Sequence, residues 1–376
     1  MKRMDSIRRI LIIICQANGD VLLSSPLIQT LHETYPQASI DLVVNASTVS
    51  MAESLLHISN VYSYDYSWKK RGKFYQFKQE FQLFKKLWKK YDLSISLTSS
   101  DRSVLLAITS SRYAIAELDA KSQKRGWKPW LLKGFYQLDE RIHMVLNHKK
   151  ALSLLGITPL HWEVRCKVDK GLREAMHQRL QALGIDRFVI FHPSARGVYK
   201  VYPTALRHRL LSLLSQAGVN VVVTGGKSPL DDEISAQLPT LPHLYNFIGQ
   251  CESIAELIAL MDLSEAYLGM DTLNMHLAAS LDKSIFAIFG PTNPCMWSPW
   301  SNALQAGGVL GPARHQFYGN IHLFQAIKPC VPCFKAGCQN NGIKSDCLEE
   351  IAPEFVVQTF LNAQNEKLNV ACGRHL

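Results

Sequence analysis

The chain has 376 residues, too many for one ordinary core and enough for two domains of similar size. Its 47% apolar and 19% charged content excludes a disordered chain, and no apolar run approaches bilayer-spanning length. A net charge of +10 favours anionic partners: nucleic acid, acidic lipid surfaces or phosphorylated substrates.

The opening MKRMDSIRRILIII sets basic residues before a short apolar run, but the run leads into Gly19-Asp20 and no small-residue cleavage site. It reads as a strand (7–14) and not a signal peptide, in a protein that stays in the cytoplasm. A helix is expected from Asp20 to Tyr35, ended by Pro36. Strands at 39–44, 60–64, 92–97 and 110–116 follow, with a long helix around 73–90. Residues 121–136 read as a surface loop, and 171–183 as a helix connecting the domains. The second half repeats the pattern, with strands at 188–193, 219–226, 243–249, 265–271 and 284–291. Helices lie between them near 203–216, 230–238, 253–262 and 272–281, and a last helix near 353–364. Short strands alternating with helices predict right-handed βαβ units and two doubly wound parallel sheets.

Ligands of such sheets bind beyond the carboxyl ends of the strands, so the turns there should carry the chemistry. After the first strand come Asn18-Gly19-Asp20. In the second half come Ser194, Lys200, the Asp231-Asp232-Glu233 run, and Asp271-Thr272-Leu273-Asn274-Met275-His276. Helix N-terminal amides and Lys200 suit a nucleotide diphosphate. Neither a G-x-x-x-x-G-K-[ST] run nor a G-x-G-x-x-G fingerprint is present. Asp20 repels phosphate; it is either a helix N-cap or a group kept for chemistry with a different substrate. Asp271-Thr272 has the same alternative, and His276 that of a hydrogen-bonded core imidazole.

Three stretches carry a family resemblance: NGDVLLSSPLIQTLHETYPQASIDLVV, GMDTLNMHLAASLDKSIFAIFGPTNPCMWSPW and PCVPCFKAGCQNNGIKSDCLEEI. They resemble the lipopolysaccharide core heptosyltransferases of glycosyltransferase family 9, and DYSWKKRGKFYQFKQEFQLFKKLWKKYDLSISLT is most like the heptosyltransferase III branch. The resemblance implies an α/β GT-B fold, two Rossmann-like doubly wound parallel-sheet domains facing a central cleft. Residues 1–170 would bind the acceptor, 171–350 the nucleotide sugar, and 351–376 would cross back as a helix to the N-terminal domain.

It also implies an inverting, metal-independent transfer of heptose from ADP-L-glycero-D-manno-heptose to a hydroxyl of the lipopolysaccharide inner core, without cofactor. Asp20 is then the general base, and Lys200 neutralises the departing diphosphate. Ser194, Glu233, Asp271, Thr272, Leu273 and His276 are implied at the donor, with Asp231 an alternative to Glu233. Asn18, Gly19, Lys128 and Lys133 are assigned to the acceptor, in a monomer at the inner face of the inner membrane. Relatives carry a basic residue shortly before Gly-Asp where this chain has Cys15-Gln16-Ala17-Asn18, and the Trp of their Lys-x-Trp-Pro element is Tyr202 here. Alternatives are a relative transferring another activated sugar and a nucleotide-sugar-binding protein without turnover.

Residues 68–90 interleave lysines with Phe74, Phe77, Phe81, Phe84 and Trp88 at helical spacing. The alternatives are a basic amphipathic helix lying on an anionic membrane and a covering helix. We expect the aromatic stripe to cover the sheet and the lysines to face water, drawing the protein towards phosphorylated lipid or the inner leaflet. Trp127, Trp130 and Phe135, beside Lys128 and Lys133, are the candidate lipid-acceptor contacts. No nucleic-acid motif accompanies the charge. Cys330, Cys333, Cys338 and Cys347 have spacing loosely compatible with zinc, but not that of a common finger; no metal is assigned.

Overall fold

Ile10 to Ile13 are wholly buried, as a strand covered on both faces must be, and β1 (Arg9–Ile14) lies inside a parallel sheet. The computed structural model describes residues 7–121, 126–309, 311 and 313–373, with side chains of the last helix described to residue 366. The chain divides into two units at Lys167 and Val168.

In the first unit β1 is followed by α1 (Asn18–Leu23), α2 (Ser25–Thr34), β2 (Ser39–Asn45), α3 (Val49–Glu53), β3 (Asn60–Tyr64), α4 (Lys73–Leu87) and β4 (Tyr91–Ser96). Then come α5 (Asp101–Ser110), β5 (Ser111–Leu118), α6 (Lys128–Leu131), β6 (Gly134–Gln137) and α7 (Met144–Leu154). All six strands are parallel, in the order β3-β2-β1-β4-β5-β6, with Ile12 between Leu42 and Ile95. The order reverses between β1 and β4. That crevice is where an open α/β sheet binds its ligand.

The expected single helix from Asp20 to Tyr35 is two. Pro26 has no amide to donate to residue 22, and the chain breaks at Ser24, whose hydroxyl donates to the Val21 carbonyl at 2.7 Å. The expected loop at 121–136 also needs correction: residues 128–131 form α6, and Gly134–Gln137 pair with β5 as the edge strand. Residues 122–125 of that stretch lie outside the described residues.

The orientation of α4 reverses the expectation. Leu83 and Leu87 are its buried residues, whereas Phe74, Phe77 and Phe81 are 83%, 66% and 55% exposed. Two aliphatic residues four apart, beside the inward Glu80, suffice to seat the helix on the core of Leu11, Val43 and Val104.

The second unit runs α8 (Lys170–Ala182), β7 (Val189–His192), α9 (Thr204–Gln216), β8 (Val221–Gly225), α10 (Pro229–Ala236), β9 (Leu244–Ile248) and α11 (Ile254–Leu263). It continues with β10 (Ala266–Met270), α12 (Leu273–Ser280), β11 (Ser284–Phe289), α13 (Pro294–Trp297), β12 (His315–Tyr318), β13 (Ile321–Gln325) and α14 (Pro353–Gly373). The strand order is β12-β13-β11-β10-β7-β8-β9, parallel except for β12 against β13. One core packs Ile190, Val222 and Tyr267 against α8, α11 and α12; the other packs Phe191, Val223 and Phe286 against α9 and α14. Sequence reasoning places 351–376 as a return to the first domain. The first part of α14 packs Val356, Val357 and Phe360 into the second unit's core.

Here the switch point lies between β10 and β7. Gly269 is required there: its φ is +153°, and a Cβ would stand 2.5 Å from the His192 carbonyl oxygen on β7.

Candidate functional site

In the first unit, buried side-chain oxygens without hydrogen-bond partners among the described residues collect at the carboxyl ends of the strands. Asn18 Oδ1 and Asp20 Oδ1 follow β1, Asn45 Oδ1 ends β2, and Thr98 Oγ1 follows β4. Buried polar atoms are nearly always paired, so such a group at a sheet's switch point is what a ligand site leaves open.

Asp20 is the charged member. The helix begins two residues before it, at Asn18, so Asp20 is not the N-cap. Its Oδ2 accepts from the backbone amide of Ala17, the true N-cap, at 3.1 Å. One oxygen thus closes the helix start while Oδ1 is left for other chemistry. Burial raises the Asp20 carboxyl to about 6, against the lowering effect of the Ala17 amide. Glu117, buried near the end of β5 and close enough to feel the Asp20 charge, is a candidate site residue that sequence reasoning missed. Burial and then the Asp20 charge raise it to about 7, with Lys150 pulling the other way. An acid closing the apolar strand YAIAEL was the available signal.

In the second unit, the turns after β7 and β10 meet. Lys200, on a short 3-10 turn, donates from Nζ to Asp271 Oδ2 at 3.0 Å; the aspartate side chain is 10% exposed. Thr272 is the N-cap of α12 but spends no side-chain bond on it. Its Oγ1 is buried beside the hydroxyl of Tyr267, which donates to the Met270 carbonyl at 2.8 Å. One turn on, His276 is buried with Nδ1 unpartnered, and burial lowers its pKa to about 4. It is therefore a neutral imidazole at pH 7. His192, equally neutral by burial, accepts at Nδ1 from Asn274 Nδ2 at 2.7 Å and has the Thr224 hydroxyl at 3.1 Å. Asn274 and His192 lock the start of α12 to β7, a role the sequence does not announce.

The remaining expected residues are dispersed. Ser194 is buried beside Asp231. Burial alone would raise the Asp231 carboxyl, but hydrogen bonds from Ser194 and Ser228 hold it below its ordinary value. Asp231 closes a capping box with Ser228 at the start of α10. Glu233 is exposed on α10 and accepts from Gln237 at 3.2 Å; Leu273 is half-buried at the first turn of α12. Tyr202 is a core residue whose hydroxyl donates to the Ile351 carbonyl.

Of the expected acceptor residues, Asn18 and Gly19 share the first turn with Asp20. Lys128 departs from the expectation of an open contact. It is 5% exposed, its Nζ donating to the Ser99 carbonyl and to Asp101 Oδ1, the latter at 2.7 Å. It ties α6 to the start of α5. Lys133 is exposed. Cys330, Cys333, Cys338 and Cys347 are free thiols. Burial and then the neighbouring Cys333 and Cys338 push Cys347 up to about 11.

Comparison with known proteins adds a third line. Residues 80–317 match the model of glycosyltransferase family 9 (heptosyltransferase). Lipopolysaccharide heptosyltransferase 3 of Escherichia coli K12 is 31% identical over 323 residues, 82% of this chain and 92% of that protein. Among solved structures, E. coli ADP-heptose lipopolysaccharide heptosyltransferase II aligns with a TM-score of 0.68 at 23% identity, over 95% of this chain and 99% of that one. The E. coli heptosyltransferase WaaC with ADP aligns with a TM-score of 0.70 at 15% identity, over 94% and 99%. These two likenesses show the fold, which is GT-B.

Proposed function

As a member of glycosyltransferase family 9 (heptosyltransferase), the chain is a heptosyltransferase of the lipopolysaccharide core, and we propose that it moves heptose from ADP-L-glycero-D-manno-heptose to an inner-core hydroxyl with inversion and without metal. In this reading the first unit receives the acceptor and the second the donor. Asp20 Oδ1 takes the proton of the acceptor hydroxyl as the hydroxyl oxygen attacks the anomeric carbon. The bond from that carbon to the diphosphate oxygen breaks on the opposite side, which inverts the centre, and ADP leaves with the electron pair.

Lys200 meets the charge that develops on the diphosphate, positioned by Asp271. The amides at the start of α12, the Thr272 hydroxyl and Ser194 hold phosphate oxygens, and neutral His276 bonds phosphate or heptose. Glu233 contacts the nucleoside, and Leu273 lies against the donor. Asn18, Gly19 and Lys133 contact the acceptor. The enzyme works as a monomer at the cytoplasmic face of the inner membrane.

One observation carries the reading: a buried carboxyl poised near 6, with one oxygen fixed by Ala17 and the other unpartnered. A base must be ionised at the working pH yet basic enough to accept a proton, and burial achieves that balance. The test is an assay of the purified protein with ADP-heptose and a panel of truncated core acceptors. Asp20→Asn should abolish transfer and keep donor affinity, read as thermal protection by ADP-heptose. Parental transfer by that variant refutes the assignment of the base. Equal protection by other nucleotide sugars refutes the donor.

A further inference from the structure

The outward face of α4 is apolar where a surface helix is normally polar. Phe74, Phe77 and Phe81 lie with Lys78 and Lys85 within about 100° of arc at 3.6 residues per turn. Leu83 and Leu87, which are buried, lie on the other side. The Phe77 and Phe81 rings stack on each other at 6.2 Å, so they form a ridge and not scattered contacts.

The ridge is not alone. α4 packs against α5, and α5 against α6, with Leu83, Leu87, Val104, Leu106 and Leu132 in the core beneath them. On this layer Trp130 is 89% exposed and Trp88 44%. Isolated exposed apolar residues need no explanation, but a ridge of aromatics along one helix does.

The charge around the ridge decides what covers it. Between Lys69 and Lys90 the sequence has nine lysines and arginines and one acid, Glu80. Glu80 turns away from the ridge: it accepts from the Tyr64 hydroxyl at 2.6 Å and Gln76 at 2.8 Å, and pairs with Arg102 at 3.1 Å. None of the nine cations is in an ion pair among the described residues. Aromatic rings set among unpaired lysines match a lipid surface, rings at the acyl boundary and ammonium groups at anionic headgroups. A protein partner would have to supply an acidic, ring-accepting groove.

We propose that the α4 face docks this enzyme on a bilayer rich in anionic lipid. The proposal rests on the inner-membrane location given above for its choice of leaflet, and its test does not use transfer activity. Flotation of the full chain with phosphatidylcholine vesicles, and with mixed phosphatidylcholine–phosphatidylglycerol vesicles, measures it directly. The wild type should float with the mixed vesicles, not the neutral ones, and lose binding as salt is added.

Phe74→Ser/Phe77→Ser/Phe81→Ser and Lys78→Glu/Lys85→Glu alter exposed positions, so both should fold with parental circular dichroism. Each should lower the bound fraction by about tenfold or more. Transfer to a soluble, deacylated core acceptor should be equal in all three proteins. Absence of flotation, or parental flotation by the phenylalanine variant, overturns the proposal. So does a concentration-dependent dimer that the phenylalanine variant loses. A protein that floats but transfers no heptose keeps the docking face and refutes the activity.

Discussion

Lys200 and Asp271 form an ion pair across the switch point of the second sheet, with Nζ 3.0 Å from Oδ2, joining the turns after β7 and β10. The aspartate side chain is 10% exposed and the lysine 28%, so the lysine has one end held and its charge still open to a ligand. A cation fixed before the diphosphate leaves costs no reorganisation at the moment of reaction. Lys200→Ala should lower kcat by roughly 10²–10³-fold, the usual loss for one such donor. Lys200→Arg should recover part of it, because the charge is kept while the reach changes. Steady-state kinetics decide this; a Lys200→Ala enzyme within twofold of parental kcat removes the lysine from the chemistry.

The pH dependence should follow Asp20. Burial raises its carboxyl from the ordinary 3.8 to about 6 in the folded chain, and a base there would have to be ionised to act. Transfer should therefore rise through pH 6 and level off above it. Stability runs the other way. A carboxyl raised on folding stabilises the protein fully below its unfolded value and loses that contribution as pH rises through 6. Asp20→Asn cannot ionise, so it should melt higher than the parent at pH 8, by on the order of 3 kcal/mol less the weakened Ala17 bond, and show no gain at pH 4. Melting curves at the two pH values check the sign.

Glu117 offers a second carboxyl near the first, and the two can be separated. Asp20's charge is, after burial, the largest cause raising Glu117. If Asp20 is the base, Glu117→Gln should keep transfer within a few-fold, with its acid limb still near 6. Asp20→Asn should lower Glu117's pKa, followed by carboxyl carbon NMR. Loss of transfer in Glu117→Gln, with Asp20→Asn active, exchanges the two roles.

The strand runs of both sheets were legible because central strands are apolar on both faces, as in IRRILIII and SIFAIF. The places of Asp20, Lys200, Asp271, Thr272 and His276 in turns after strands were legible because the apolar strands before them were. What failed were features that depend on neighbours. β6 is an edge strand of four residues with only Tyr136 buried, too short and too polar to show. Spacing reveals that α4 has an aromatic stripe but not which way it faces; the decisive Leu83 and Leu87 are two unremarkable aliphatics. The Asn274–His192 bond joins residues 82 apart in sequence, and no local pattern marks it.

Lys128 and Lys133 sit five residues apart and look alike in sequence, but they should behave oppositely. Lys128 is buried, its ammonium held by the Ser99 carbonyl and Asp101. Removing it strands a buried carbonyl, while the exposed Asp101 recovers water, so Lys128→Ala should cost about 1–3 kcal/mol in urea unfolding. Lys133 is exposed, and Lys133→Ala should change stability by less than about 0.5 kcal/mol. Its effect should appear as a higher KM for phosphorylated core acceptor with kcat kept, because the group it loses binds ground and transition states alike. Unchanged acceptor KM in Lys133→Ala removes that lysine from the acceptor surface, and an unchanged urea midpoint in Lys128→Ala contradicts the buried tie.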